Sequence, residues 1–438
     1  MTPDSTVAEL TLPADGRVLI LAPHPDDETI ATGGIIQRAL SAGLEVHVVF
    51  YTNGDNNEWS FVVYRKGAVM RSKSIQAMGL VRHDEGLAAA KALGLREDQC
   101  TFLGYPDFGT GHIWAEHWGD RPPFRSMLTR VTEVPYQNAY RPGAPYRADE
   151  ILRDLESILR EFRPTVIFVS HPADHNPDHS ALYLFTRVAL WNLEKEMRPD
   201  VHPFLVHWPD WPKLMGYHPE VHQTPPALPE RQAWFANPLS VAELAVKTEA
   251  LHAHKSQYDV STAYLESFLR PEELFGDLPP LEVGHEPSGD ADRRGGEALK
   301  ERIASALTHE ERARFVGLER RAIWIEGDLL VCSVQFSRPL GKQVGATINA
   351  FGYRFDKPFG QMPKLKFEFG EIGEAVFDNG QKLDRSPAKF EHTARGMTLR
   401  IPLSFMGDPE WLLGNAQTHM GDLPLDWAAW RALKLRGA

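Results

Sequence analysis

The feature that most constrains this chain is a pair of short apolar runs, each halted by a proline-bounded cluster of acids and histidines. Arg17-Val18-Leu19-Ile20-Leu21-Ala22 has the length and apolar continuity of a strand buried on both faces, and Pro23 ends it because proline cannot donate to a ladder. Thr165-Val166-Ile167-Phe168-Val169-Ser170 repeats the pattern ahead of His171. Helical periodicity follows both clusters: Glu28 to Ala42 sets Ile30, Ile35, Ile36 and Leu40 on one stripe, and residues 179 to 195 resume as a helix. Gly33-Gly34 weakens the first of these helices unless close packing needs both glycines. With Glu45-Val46-His47-Val48-Val49-Phe50 as the next strand, the chain opens as a βαβ unit of an α/β fold. Both polar clusters then sit at the carboxyl ends of strands, where open α/β sheets place their ligands.

The same texture continues. Residues 62 to 79 and 83 to 94 read as two helices, Cys100 to Leu103 as a strand, and Asp149 to Phe162 as an amphipathic helix. Residues 105 to 146 and 203 to 238 are long intervals rich in proline and aromatics, suited to lining a site or to an oligomer contact. Their aromatic rings could stack on sugar faces, and core packing explains them equally well. A helix is expected over 240 to 255. Pro279-Pro280, Gly284, Pro287-Ser288-Gly289 and Gly295-Gly296 then mark a boundary, followed by a charged helix at about 297 to 313. From Arg321 the segments become strand-sized and alternating, with Asp378-Asn379-Gly380 as a turn, which predicts a small antiparallel sandwich. The expected divisions are an extension over 1–14, a catalytic domain over 15–278, a linker with the charged helix over 279–320, and a β-rich accessory domain over 321–438.

Composition narrows the function classes. At 438 residues, with 42% hydrophobic residues, 11 Trp and 22 Phe, the chain is folded and exceeds one ordinary domain. A formal charge of -12 argues against nucleic acid as a partner. Cys100 and Cys332, far apart in sequence, suggest neither a disulfide framework nor a thiolate metal site. No stretch approaches the roughly 20 apolar residues of a membrane span, and the start lacks a secretory pattern, so a cytoplasmic enzyme is expected.

The chemistry-bearing residues suit a metal-dependent hydrolase. His24 and Asp27 lie three positions apart at a strand-to-helix turn and can aim at one point, and His179 is the best third donor. Two imidazoles and one carboxylate suit Zn²⁺ and leave room for water; another divalent transition metal would accept the same donors. Asp26, between the proposed ligands, is the general-base candidate. The bland alternative is that Asp26, Asp27 and Glu28 cap the helix, and that Asp174, Asp178 and His179 make a surface turn. The occurrence of both clusters after two buried strands favours the site.

The chain resembles the PIG-L/LmbE-like family of zinc-dependent N-deacetylases over approximately residues 15 to 275. The resemblance rests on Leu21-Ala22-Pro23-His24-Pro25-Asp26-Asp27-Glu28-Thr29 and on His171-Pro172-Ala173-Asp174-His175-Asn176-Pro177-Asp178-His179. Arg82 to Glu85, Leu103-Gly104-Tyr105-Pro106-Asp107 and His254-Lys255-Ser256-Gln257 add to it. It implies a Rossmann-like three-layer domain acting on an N-acetylated amino sugar or glycoconjugate. It also places His24, Asp27 and His179 on zinc, gives Asp26 the base role, and makes Asp178 an orienter of the loop or a histidine.

Many members of that family carry histidine at the position of Asn176, which can donate a hydrogen bond but cannot transfer a proton as imidazole does. His175 or His171 could cover the missing role, with a structural place the alternative for each. Arg82, Asp107 and His171 are the substrate-binding candidates, an intraprotein ion pair being the alternative for Arg82. Two other functions stay open: a zinc amidohydrolase acting on a non-sugar amide, and a noncatalytic carbohydrate-binding or assembly protein. A nucleotide-binding role is disfavoured, because the first turn lacks GxGxxG and offers carboxylates where a phosphate needs amides.

Overall fold

The computed structural model describes residues 7–56, 72–226, 228, 232–289, 307–370, 373–421 and 423–436. The chain divides into two compact units, the first formed by Met1–Pro226 with Ala233–Asp277, the second by Ala227–Gln232 with Leu278–Ala438.

The first unit is an eight-stranded mixed sheet flanked by helices, the expected three-layer α/β domain. Its strands are β1 (Ala8–Glu9), β2 (Arg17–Ala22), β3 (Glu45–Thr52), β4 (Cys100–Tyr105), β5 (Val166–Ser170), β6 (Asp200–Phe204), β7 (Ala233–Pro238) and β8 (Glu272–Asp277). They lie in the order β1-β7-β8-β6-β5-β2-β3-β4. The run β4-β3-β2-β5-β6 is parallel, and β2 and β5 are neighbours at its centre, with Leu19 opposite Ile167. Chain connections run to one side after β2 and to the other after β5, so the crevice between these two strand ends is the switch point of the sheet. β8 pairs antiparallel with β6 and β7.

Helix α1 (Asp27–Ser41) explains its two glycines. A Cβ at Gly34 would meet Leu239 Cγ at 2.8 Å, and one at Gly33 would meet the Lys247 side chain at 3.2 Å. Lys247 is itself buried and held by Glu273 at 2.8 Å, while Glu273 also takes the Gly34 and Ile35 N–H groups. Gly33 therefore permits a close crossing between α1 and helix α6 (Val241–Ala253), and Gly34 admits Leu239 from the segment just before that helix.

One expectation is corrected here. Where two helices were expected to break between 79 and 83, a single helix α2 runs over Ser72–Ala92; residues 62 to 71 lie outside the described ones. Gly79 does not end this helix: it makes room for Tyr136, whose hydroxyl would sit 2.3 Å from a Cβ there. The other helices of the unit are α3 (Thr110–Glu116), α4 (Ala148–Phe162), α5 (Pro177–Asn192) and α7 (Lys255–Glu266). In the 105–146 interval Trp114 and Trp118 are buried and meet Phe185, so core packing accounts for these rings.

The second unit is the expected sandwich. One sheet has the order β10 (Leu318–Glu326), β11 (Leu329–Phe336), β17 (Gly396–Pro402), β16 (Lys389–Thr393). The other runs β15 (Gln381–Lys382), β14 (Gly373–Asp378), β13 (Lys364–Gly370), β12 (Gly345–Tyr353), β18 (Trp411–Met420), β20 (Arg431–Leu435), β9 (Leu281–Val283), with β19 (Leu423–Trp427) on β18. Leu330, Cys332, Ile348, Phe367, Leu399 and Ile401 fill the space between the sheets. Asn379 and Gly380 have φ of 49° and 74°, the left-handed pair of a tight hairpin turn joining β14 to β15. The antiparallel expectation needs one amendment, because β9 and β20 pair in parallel. Of the charged helix expected at 297 to 313, His309–Arg314 (α8) is described and residues 297 to 306 lie outside the described ones.

Candidate metal centre

β2 and β5 deliver the two polar clusters to the switch point. His24 Nδ1, Asp27 Oδ2 and His179 Nε2 form a triangle in which every side is 3.2 Å. Asp27 is the first residue of α1 and His179 lies in the first turn of α5, so two helix starts fix two corners. All three side chains are buried.

Each imidazole has a carboxylate behind it. His24 Nε2 lies 3.0 Å from Asp107 Oδ1 and 3.4 Å from Asp178 Oδ2, and His179 Nδ1 lies 3.2 Å from Asp174 Oδ2. These contacts set the tautomers: a proton on His24 Nε2 and one on His179 Nδ1 leave the lone pairs of the opposite nitrogens aimed into the triangle. Three such atoms so close together repel unless protons or a metal cation sit among them. Ligands about 2.0 Å from a tetrahedral ion stand about 3.3 Å apart, so the donors present fit a divalent metal in type and spacing. His24, Asp107 and Asp178 also lie close enough together to form a second candidate group, but it would use the same imidazole from its other nitrogen.

Electrostatics agree with this arrangement. Burial pushes Asp27 up, but His179 and His24 outweigh it and hold the carboxyl well below its ordinary value. Burial likewise raises Asp107, and His24 brings it down to about 2. Asp26 behaves differently: burial raises it to about 6 against the pull of Arg82. Its backbone is strained, with φ of 136° and ψ of −32°, a conformation that costs a residue with a side chain about 1–3 kcal/mol.

The other sequence candidates take distinct places. Arg82 is buried, donates to the carbonyls of Gly54 and Pro25 at 2.8 Å each, and reaches Asp26 Oδ2 at 3.3 Å. Asp107 accepts the Asn56 N–H at 2.9 Å and faces His24. Asp178 accepts from Phe108 N–H and from the Thr110 N–H and hydroxyl, tying the loop after β4 to α5. Asn176 is the N-cap of α5 and accepts the Asp178 N–H on Oδ1 at 2.9 Å. His175 is exposed on the same loop. His171 is not brought to the triangle: it is fully buried, stacks on Trp234, and accepts the Ala173 N–H on Nδ1.

Two contributors escaped the sequence reading. Asp174 backs His179 and also accepts the Val206 and His207 N–H groups at 3.0 Å each. The His207 ring stands edge-on to His179 at 4.7 Å and is stacked with the Tyr264 ring, whose hydroxyl lies 3.3 Å from Nδ1. Burial holds its imidazole at about 4. Asp174 was visible inside the second cluster; His207 sits in the proline-rich interval, where no periodicity points to it.

The family model described as PIG-L: GlcNAc-PI de-N-acetylase matches residues 19–190. A 1D-myo-inositol 2-acetamido-2-deoxy-α-D-glucopyranoside deacetylase of Saccharopolyspora erythraea is 32% identical over 262 residues, covering 57% of this chain and 80% of that protein. The enzyme of the same name from Mycolicibacterium smegmatis is 30% identical over 176 residues, covering 40% of this chain and 53% of that protein. Among solved structures, the conserved protein TT1542 from Thermus thermophilus is 24% identical, with a TM-score of 0.35 over 57% of this chain and 84% of that one. Among the described residues no helix is long and apolar enough to cross a membrane.

Proposed function

Because the chain belongs to the PIG-L de-N-acetylase family, we propose that it is a zinc-dependent N-deacetylase, hydrolysing the acetamide of an N-acetylated amino sugar or glycoconjugate to acetate and a free amine. The observation that carries this reading is the convergence of two imidazole nitrogens and one carboxylate oxygen, with a second carboxylate, held by Arg82, close enough to interact electrostatically with Asp27 and His24. A zinc ion bound by His24, Asp27 and His179 supplies Lewis acidity towards the carbonyl oxygen and lowers the pKa of water to about 7.

The chain's own residues account for the proton traffic. Asp26, raised to about 6 by burial, is ionised at neutral pH and takes a proton from the attacking water. Its conjugate acid is then strong enough to protonate the departing nitrogen. Arg82 keeps the carboxylate from turning onto the helix end. Asn176 has its Oδ1 engaged by capping, so its Nδ2 group is the donor it can offer to the tetrahedral oxyanion. His175, exposed on the same loop, is placed to exchange protons with solvent. Asp107 and Asp178 hold His24, and Asp174 holds His179, so that neither ring turns during the reaction.

The test is a panel of acetylated mono-, di- and oligosaccharides, sugar nucleotides, inositol-linked N-acetylglucosamine and non-sugar acetamides, with acetate and amine followed by mass spectrometry. Zinc-loaded full-length chain should deacetylate at least one sugar member and lose that activity to a chelator. Turnover confined to non-sugar acetamides would replace the sugar reading with a general amidohydrolase. Tight zinc binding with no acetate from any member would leave a noncatalytic scaffold.

A further inference from the structure

Two segments singled out by the sequence, Arg82 to Glu85 and His254 to Gln257, close a ring of bonds around Asp26. The Asp26 N–H donates to Glu28 Oε2 at 2.9 Å. Glu28 is fully buried, and its other oxygen receives the Thr29 hydroxyl at 2.6 Å and His254 Nε2 at 2.9 Å. His254, also fully buried, carries the next helix, because its carbonyl accepts the N–H groups of Gln257 and Tyr258. Ser256 is fastened by its N–H and hydroxyl to Glu85 at 2.9 and 2.6 Å. Glu85 lies one turn along α2 from Arg82, which returns to Pro25 and Asp26.

Ordinary helix capping does not explain this ring. An N-cap residue normally sits in the extended region and turns its side chain onto the first helical N–H groups. Asp26 does neither: its φ is 136° and its side chain makes no capping bond. Its carbonyl still starts the helix, accepting from Thr29 and Ile30 at 3.0 and 2.9 Å, so the residue is twisted while the helix is kept. Both oxygens of Glu28 are taken by protein donors, so Glu28 is neither a fourth ligand nor a second base. The twist turns the Asp26 carboxylate away from α1 and onto Arg82.

We propose that Glu28, locked in place by His254, is a positioning residue that holds the Asp26 backbone in its left-handed conformation and so keeps the Asp26 carboxylate beside the metal triangle. The inference rests on the reading of Asp26 as the base, and its geometric part can be tested without turnover. Crystal structures and zinc contents of the full-length Glu28→Ala, Glu28→Gln and His254→Ala chains decide it, with kinetics on whichever panel member the parent chain deacetylates.

In Glu28→Ala the Asp26 φ should become negative and the carboxylate should leave Arg82, while one zinc per chain is retained. Its kcat should fall about 100-fold or more with KM within about threefold, as expected for a displaced base. Glu28→Gln keeps an amide oxygen for the Asp26 N–H and should keep the positive φ and a kcat within about tenfold of the parent. His254→Ala, which unlocks Glu28, should also turn the Asp26 φ negative with a kcat between those of the two Glu28 variants, and it decides the question should Glu28→Ala fail to fold. A positive φ persisting in Glu28→Ala or, without that fold, in His254→Ala would overturn the proposal, as would Glu28→Gln failing as fully as the alanine variant. Absence of acetate from every panel member with the parent chain would instead remove the deacetylase reading, while the Asp26 φ in the variants would still decide the clamp.

Discussion

The two units bury ionisable groups in different ways. In the sandwich the buried charges are scattered, and each satisfies nearby backbone groups. Lys364 Nζ gives its protons to the carbonyls of Phe359 and Met362 at 2.5 and 2.7 Å, and Asp426 accepts the Leu318 N–H at 2.7 Å. In the α/β unit His24, Asp27, Asp107, Asp174, Asp178 and His179 are gathered at one strand-end crevice, and three of their atoms converge on one point. Burial of a charge is therefore a weak sign of function; convergence of metal-binding donor atoms on one point is a strong one.

The largest expected effect separates the two adjacent aspartates. Asp26→Ala should hold one zinc per chain yet lose about 1,000-fold in acetate release, the scale of a missing general base. Asp27→Ala should lose both turnover and zinc, read by metal analysis after gel filtration. Equal loss of metal in the two variants would erase the distinction between ligand and base.

Next in size is a proton effect at the triangle. Burial lowers the His179 pKa, but Asp174 and Asp27 overcome this and hold it at about 9, and His24 is also raised by Asp107, Asp178 and Asp27 against its own burial. In the metal-free chain both rings are therefore drawn towards the protonated form, and a metal must displace those protons. Zinc affinity should rise with pH by about tenfold per unit for each proton released, and level off only once both rings have lost those protons. Calorimetry in buffers of different ionisation enthalpy counts those protons, and a flat profile would mean the rings are already neutral.

The smallest effect on the site sharpens the contrast between the units. Asp174→Asn should weaken zinc binding about 10- to 100-fold by loosening His179. Leu399→Ala, deep in the sandwich, should destabilise the protein by about 2–5 kcal/mol and leave zinc affinity unchanged. Chemical denaturation and zinc titration of both variants check the pair.

The parts of the structure legible in the sequence are those where one physical requirement dominates. β2 and β5 are buried on both faces, so unbroken apolar runs mark them, and the prolines and carboxylates at their ends mark the site. β7 and β8 were hidden because they pair antiparallel near the edge of the sheet and mix polar with apolar residues, Glu272 and Glu273 among them. Gly79 misled because a glycine in a helix reads as an end, whereas here it admits Tyr136 from a segment far along the chain. His207 reaches His179 through Asp174, and such a contact has no sequence period. The roles of Arg82 and His254 likewise depend on bonds to residues more than fifty positions away.

The most direct measurement is anomalous diffraction at the zinc edge from crystals of the zinc-loaded chain. One peak is expected at the triangle, about 2.0–2.2 Å from His24 Nδ1, Asp27 Oδ2 and His179 Nε2. A peak on the other side of the His24 ring, between Nε2, Asp107 and Asp178, or no peak near His179 at all, would contradict it.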